Sequence, residues 1–174
     1  MCDCGASRYR RIMDRVDSIP FDSFTRIVNG RARIPLATAR ERPAPLSDIE
    51  WLPDDAVVQA AADEVWEVFD APDRAERLNA LLARTRLQPR LTLAGDLRWH
   101  SPARSVAGIL LARFTATTLD AVRLVGWDRL GVCGAADCVD VFIDDGGRAH
   151  RRYCSTTCLN RTRVRDHRAR GDGR

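Results

Sequence analysis

The sequence predicts an α+β fold in which a helix-rich body with one small β-hairpin is followed by a small cysteine-rich module. Apolar residues recur at three- and four-residue spacing over residues 53–70, 74–84 and 103–125, as in amphipathic helices. A Gly-Asp pair at residues 95–96 separates two short alternating segments, which is typical of a hairpin. Two cysteine pairs lie close to the C-terminus. We therefore predict an extension over residues 1–20, a body over 21–128, a module over 129–170 and a short tail over 171–174.

The first part of the body is expected to alternate between helical and irregular segments. Residues 1–20 are polar and basic, and they predict a short helix or a frayed end. Residues 21–28 are apolar enough for a helix or a strand, and Asn29-Gly30 is a turn signal. Residues 34–45 contain three prolines and predict a loop, while residues 46–52 predict one turn of helix.

The second part of the body carries the stronger helix signals. Asp54 or Asp55 is expected to cap one helix, and Asp73 the next. Strands are predicted at residues 91–94 and 97–100 around Gly95-Asp96. The longest helix is expected over residues 103–125, with Gly126 as its stop. Its apolar stripe consists of Val106, Ile109, Leu110, Phe114, Ala121 and Leu124.

Positive charge is concentrated at the end of the chain. Residues 147–174 hold nine arginines and two aspartates, a net +7, whereas the rest of the chain carries −3. A basic tail on a slightly acidic body favours a polyanionic partner. All 28 basic residues are arginine. A GC-rich coding sequence accounts for this bias, although arginine also suits phosphate and guanine contacts. The sequence has neither a membrane-length apolar run nor a signal-peptide pattern, so we expect a cytoplasmic protein.

The body shows no pattern that indicates catalysis, and we predict that the chain is not an enzyme. It has no glycine-rich phosphate loop and no HExxH sequence. His100 could act as a ligand or a base, but a structural histidine is the simpler interpretation. A run of acidic side chains along one helix is interpreted as a solvated face. Its members are Asp54, Asp55, Asp63, Glu64, Glu67 and Asp70.

The cysteine spacing predicts one structural zinc ion. Cys133 and Cys138 form one pair, Cys154 and Cys158 the other, with fifteen residues between the pairs. Four thiolates in a tetrahedron are a preferred structural zinc set. Residues 139–144 alternate as in a strand, and 151–153 are expected to return as a second strand. Ser155 is then expected to cap a helix that runs to about Arg170, which makes a treble-clef-like arrangement.

Other interpretations of the cysteines remain open at this stage. The four could be ordinary, partly buried cysteines, or they could hold a redox or iron–sulfur centre. Cys2 and Cys4 could add a redox response or a second metal, although a variable start of the chain explains them equally simply.

The helix after Ser155 is the candidate nucleic-acid surface. Arg161, Arg165 and Arg168 share one predicted face, and Asn160 could read an adenine edge. The alternative is a solvated basic tail with no partner. The candidate contacts are Arg151, Arg152, Asn160, Arg161, Arg163, Arg165 and Arg168.

The segment resembles the CGNR zinc finger. That family has two cysteine pairs, an aromatic residue and an aspartate between them, then Arg-Arg-Tyr-Cys-Ser and a final Cys-Gly-Asn-Arg. The matching residues here are Cys133, Cys138, Phe142, Asp144, Arg151–Ser155, Cys158, Asn160 and Arg161. Leu159 stands where the family has glycine.

The body is similar to the ABATE domain that precedes this finger in stress-linked bacterial transcription regulators. The resemblance implies a DNA-binding finger and a body able to sense a small-molecule ligand. A homodimer through the long helix is a further expectation. The alternative is a zinc-held module that binds protein or RNA without sequence-specific DNA binding.

Overall fold

The computed structural model describes residues 15–38, 46, 49, 51–146 and 150–171. The helices among these residues are α1 (Phe21–Arg31), α2 (Arg33–Thr38), α3 (Asp55–Asp70), α4 (Arg74–Thr85), α5 (Val106–Val125) and α6 (Thr156–Gly171). The strands are β1 (Arg15–Val16), β2 (Gln88–Leu91), β3 (Leu97–His100), β4 (Leu130–Val132) and β5 (Val141–Ile143). Helices predominate and the sheets are small and antiparallel, which confirms the predicted α+β class. Within these described ranges, no helix combines the length and the apolar character needed to cross a membrane.

Helix α3 lies at the centre of the body, where it packs against α1 and α5, and α4 packs against both α3 and α5. The aromatic rings of Phe24 and Phe114 meet edge to face with centroids 5.4 Å apart, and Phe69 lies 6.4 Å from Phe24. All three side chains are fully buried. These rings contribute to a core whose other buried members are mostly aliphatic, and burial of this apolar surface holds the helices together.

A three-stranded sheet of order β1-β3-β2 covers one side of α5. Trp99 of β3 packs with Val16 of β1 and with Ala112 and Ala116 of α5. The Trp99 indole N–H donates to Asp120 Oδ1 at 3.0 Å. Part of the predicted N-terminal extension therefore belongs to the sheet, because Val16 pairs with Trp99. Residues 1–14 lie outside the described residues.

The β4–β5 hairpin packs against the body. Leu130, Val141 and Ile143 belong to the same buried cluster as Phe24 and Phe69. Apolar residues on both sides of residue 128 thus share one core. The division of the chain into domains at this position stays a prediction.

Two predictions for the first part of the body are wrong. Asn29-Gly30 is not a turn but lies within α1, and Arg33–Thr38 is a helix rather than the start of a loop. Pro35 is compatible with α2 because it stands near the helix start, where its missing N–H costs no helical hydrogen bond. Over residues 46–52 the structure describes four residues, and turn bonds run from Ile49 N to Leu46 O and from Leu52 N to Ile49 O.

The second strand of the body hairpin lies where it was predicted, at Leu97–His100, but the first strand lies earlier in the chain than predicted. Leu91 pairs with Leu97, so the loop spans residues 92–96 and the first strand ends at Leu91. Thr92 N donates to Asp96 O at 2.9 Å, and Gly95 adopts φ +86° in this loop. The loop therefore has five residues, whereas a two-residue turn at Gly95-Asp96 was predicted.

Most helix boundaries follow their predicted signals. Asp54 caps α3 by accepting from Ala56 N at 2.9 Å, and Gly126, at φ +89°, ends α5. Asp73 precedes α4 but its carboxylate pairs with Arg77 instead of capping the helix. Helix α5 begins at Val106, capped by Ser105, three residues later than predicted. Val106 and Leu124 of its expected apolar stripe are exposed.

Candidate metal centre and basic helix

The four cysteines come together from two structural elements. Cys133 and Cys138 lie in the loop that joins β4 to β5, Cys154 lies two residues before α6, and Cys158 lies in the first turn of α6. Their Sγ atoms all lie within 4.8 Å of one another. The Cys154 sulfur lies 3.6 Å from that of Cys138 and 3.5 Å from that of Cys158.

This arrangement fits a tetrahedral zinc ion. Zinc–sulfur bonds of about 2.3 Å place the sulfurs of a tetrahedron roughly 3.8 Å apart, close to the observed spacings. All four cysteines are free of disulfides, and all are buried or half-buried. The donor set is therefore suited to one structural zinc, and its four thiolates leave no open position for a substrate.

Backbone N–H groups and a helix cap orient the ligands. Cys154 N donates to Cys133 Sγ at 3.4 Å, and Cys158 N donates to Ser155 Oγ at 3.2 Å, which confirms Ser155 as the predicted cap. Gly134 N donates to Arg152 O at 2.8 Å and joins the two cysteine-bearing segments. A Cβ atom at Gly134 would lie 3.1 Å from Arg152 O, so this close approach favours glycine.

The protonation of the thiols links zinc binding to pH. Burial raises the pKa of Cys138 to about 12 in the metal-free site. Burial and the neighbouring Cys133 also raise the pKa of Cys154. Both thiols are thus protonated at neutral pH without metal, and zinc must displace these protons to bind. The affinity for zinc consequently rises with pH.

The return segment of the module differs from its prediction. A strand within residues 139–144 is confirmed as β5, although it covers only Val141–Ile143 and all three of its residues are buried, while residues 151–153 form no strand. The antiparallel partner of β5 is β4, with Val132 opposite Val141. The first cysteine pair therefore sits in the loop of this hairpin, and the second sits at the start of the helix.

Two of the proposed nucleic-acid contacts are engaged within the module. Arg161 Nη2 lies 3.1 Å from Asp137 Oδ1 and donates to Cys158 Sγ at 3.4 Å. Arg151 Nε donates to Tyr153 O at 2.7 Å, and its Nη2 donates to Cys154 O. Both side chains therefore stabilise the surroundings of the cysteines. Asp137 was not predicted as a partner of Arg161, and its position next to the ligand Cys138 is the one signal in the sequence that points to it.

The remaining candidates face solvent. Arg152 and Asn160 are exposed, and so is every residue from 163 to 170 in α6. This second half of α6 has no buried face, and its only acidic residue is Asp166. Its exposed arginines are Arg163, Arg165, Arg168 and Arg170.

Two sets of contacts hold the module, one from α3 of the body and one within the module around Asp144. Trp66 of α3 donates its indole N–H to Val139 O at 2.9 Å. Asp144 accepts from Arg129 Nη1 at 2.9 Å and from Arg151 N at 3.1 Å. The Trp66 contact spans 73 residues of sequence, so no local signal marks it, whereas Asp144 belongs to the pattern that resembles the CGNR family.

The side chains considered for catalysis lie on different elements, the carboxylates on or just before α3 and His100 at the end of β3. Acidic residues on α3 pair with arginines at the surface, as Asp63 does with Arg33 at 2.7 Å and Glu64 with Arg84 at 2.8 Å. His100 ends β3, away from these carboxylates in the sequence and on a different element. Cys2 and Cys4 lie outside the described residues. The absence of enzymatic activity stays a prediction.

Comparison with known proteins supports the zinc module. Residues 129–171 match the family profile of the CGNR zinc finger. The matched segment holds β4, β5, α6 and all four cysteines, so this part of the chain is a CGNR-type zinc finger with one structural zinc site. No curated protein shows significant similarity to the chain. The resemblance of residues 21–128 to the ABATE domain stays a prediction.

Proposed function

We propose that the chain is a DNA-binding transcription regulator whose zinc site presents α6 to the phosphate backbone. The observation that carries this proposal is the second half of α6, where Arg163, Arg165, Arg168 and Arg170 project from a helix with no buried face. Such a polar helix gains little from packing on its own protein. A polyanion supplies the contacts that it lacks.

The finger is suited to hold the helix at a fixed position. Cys154 and Cys158 attach the start of α6 to the site, and Arg161 attaches the next turn through Asp137. Ordering these residues in the free protein lowers the entropy cost of binding. The exposed arginines can then reach phosphates, while Asn160 is positioned on the first turns for a base contact.

Salt dependence of DNA binding tests the proposal. Each phosphate contact contributes about 0.9 to the slope of log affinity against log salt. We expect that replacing Arg163, Arg165 and Arg168 together by alanine lowers this slope by about 2–3 and weakens binding at low salt. Fluorescence anisotropy of a labelled duplex, titrated with the zinc-loaded protein at several salt concentrations, measures both quantities.

Two control variants show whether the effect depends on positive charge at these positions of α6 or on the net charge of the protein. The lysine variant at the same three positions keeps the charge and should retain most of the slope. Arg84→Ala removes one exposed arginine from α4 and should leave the slope unchanged. Absence of DNA binding by the wild-type protein at low salt contradicts the proposal, as does equal binding by the triple alanine variant.

The runner-up function is a module that binds a protein or RNA. Co-purification of a defined protein partner, with no affinity for DNA, favours this alternative. An RNA surface usually contains exposed aromatic rings, whereas Phe142 is buried and Tyr153 is half-buried in this finger. The proposal further assigns ligand sensing and dimerisation to the body, and it assigns no catalysis, since a four-thiolate zinc has no free position.

A further inference from the structure

A basic cleft lies at the base of the body hairpin, outside the zinc finger. It has a volume of about 140 Å³. Arginines line it from both sides: Arg86 before β2, Arg90 within β2, and Arg104 after β3. No acidic residue is among its described lining residues. A concave surface lined by cations is suited to an anion.

The register of the hairpin explains why polar groups meet here. Gln88 is paired with His100 across the two strands, and Arg90 lies two residues beyond Gln88. Alternate residues of a strand share one face, so these three side chains project from the same face of the sheet. Trp99 projects from the opposite face, where it packs on α5. The sheet thus separates a polar face at the cleft from the apolar face that covers the core.

The floor of the cleft is firmly held. Ser101 is buried, and its hydroxyl donates to Thr85 O at 2.7 Å and accepts from Ala103 N at 3.2 Å. These bonds connect the end of α4 to the segment after β3. The positions of Arg86 and Arg104 on either side are therefore defined by the backbone that carries them.

Arg86 occupies a backbone conformation that favours glycine. It has φ +52° and ψ +40°, and within the described residues it alone among non-glycine residues has a positive φ. A helix that ends in the left-handed region usually has glycine at this position because a Cβ atom is unfavourable there. No carboxylate in the described part of the chain pairs with Arg86 or Arg90. The side chain of Arg86 is thus held at the cleft at an energetic cost, with no acidic partner among the described residues.

We infer that this cleft binds the oxyanion group of a small molecule, a phosphate or a carboxylate. The planar guanidinium groups of Arg86 and Arg90 match two oxygens of either group. The small volume of the cleft suits a small anion better than a DNA duplex, which contacts protein over an extended surface. This site belongs to the body and is separate from the proposed DNA contact of α6. It rests on the proposed ligand-sensing role of the body, and it gives the chemical class of the ligand that the body would sense.

Binding of simple anions to the zinc-loaded full chain tests the inference. The probes are inorganic phosphate and malonate, titrated at constant ionic strength with sodium chloride, and the backbone amide shifts of residues 86–90 and 100–104 are followed by NMR. We expect saturation with a dissociation constant on the order of 1 mM for one probe, as a few charged hydrogen bonds in an open cleft support. Saturation by phosphate but not malonate, or the reverse, identifies the preferred group.

A variant that removes both arginines without disturbing the fold provides the second part of the test. Glycine accepts the backbone conformation of residue 86, so the Arg86→Gly/Arg90→Ala variant should fold normally. We expect it to bind the anion about tenfold more weakly or worse. Arg163→Ala, which removes an exposed arginine from α6, is the matched control and should bind as the wild type does.

Three results would overturn the inference. The first is a shift that follows ionic strength without saturating for either anion. The second is equal binding by the Arg86→Gly/Arg90→Ala variant. The third is a loss of DNA affinity in that variant as large as that of the α6 alanine variant, with no binding of either anion. The third result would assign the cleft to the nucleic-acid surface, whereas failure of the DNA proposal alone leaves anion binding intact.

Discussion

Asn29 of α1 uses its side-chain amide to pair with both backbone groups of Val141 in β5. Asn29 Nδ2 donates to Val141 O at 3.0 Å, and Val141 N donates to Asn29 Oδ1 at 2.7 Å. The amide thus takes the place of a neighbouring strand at the edge of the β4–β5 hairpin. This pair connects the opening helix of the body to the zinc finger across 112 residues of sequence.

Replacement of Asn29 by alanine should destabilise the protein. The backbone N–H and C=O of Val141 would lose their partners at a buried position, which costs about 2 kcal/mol of unfolding free energy. Denaturant unfolding followed by circular dichroism measures this change. Asn79→Ala, at an exposed position of α4, is the matched control and should change stability by less than about 0.5 kcal/mol. Equal effects of the two substitutions would show that the Asn29 pair contributes nothing.

Removal of zinc should unfold part of the finger and leave the body folded. Cys133, Ala135 and Cys158 form a small separate cluster, whereas Leu130, Val141 and Ile143 belong to the core of the body. Helix α6 has 16 residues and little tertiary support, so it should melt once its start is released. Chelation or Cys138→Ser should abolish hydrogen-exchange protection in residues 154–171 while protection of β5 persists. Loss of protection throughout the body would contradict this expectation.

Zinc stoichiometry tests the assignment of the ligands and of Cys2 and Cys4. Wild type and the Cys2→Ser/Cys4→Ser variant should each bind one zinc per chain, and Cys138→Ser should bind none. Atomic absorption on dialysed protein provides the count. A second zinc in the wild type that disappears with Cys2 and Cys4 would reveal a second metal site.

Arg161 should act on the metal through Cys158. Its guanidinium donates to the Cys158 sulfur and pairs with Asp137. Loss of a hydrogen bond to a metal ligand typically lowers metal affinity by roughly 10–100-fold. We therefore expect Arg161→Ala to weaken zinc binding by roughly tenfold or more. Competition with a chromophoric chelator measures the affinity. Arg165→Ala, four residues further along α6 and exposed, should leave zinc affinity unchanged. If Arg161→Ala binds zinc as tightly as the wild type, Arg161 does not support the metal site through Cys158.

Asp144 should be important for stability because it holds a charge at a buried position. Its carboxylate is 7% exposed and lies 2.9 Å from Arg129 Nη1. Removal of one partner of a buried ion pair costs about 3 kcal/mol, since the other charge stays desolvated. Asp144→Ala should therefore lower the unfolding free energy by about that amount. The neighbouring Asp145 is exposed, and Asp145→Ala should be nearly neutral. Comparable losses in both variants would contradict the structural account.

Local signals predicted the zinc site and several helix ends. The ligand cysteines stand at short spacing, and Ser155, Asp54 and Gly126 act within one turn of their own positions. Interactions of this range depend on neighbouring residues alone. The sequence is therefore sufficient to place four ligands and the start of α6.

Long-range pairing was the part that the sequence could not specify. The second strand of the finger was predicted at residues 151–153 because they return toward Cys154, yet β5 pairs with β4 instead. Asn29-Gly30 resembles a turn, but the amide of Asn29 satisfies Val141 from within a helix. Arg161 was predicted to face nucleic acid; helical spacing places Cys158 beside it, but it cannot show that Asp137, from the β4–β5 loop, lies there too.

The most direct test of the central claim is the DNA affinity of Cys138→Ser compared with the zinc-loaded wild type. This variant keeps every arginine, so it separates the charge of α6 from its placement by zinc. At one fixed low salt concentration, anisotropy titrations should show affinity reduced by about tenfold or more, because an unanchored helix must be ordered on binding. If Cys138→Ser binds DNA as tightly as the wild type, the zinc site does not present α6 to DNA and the account is wrong.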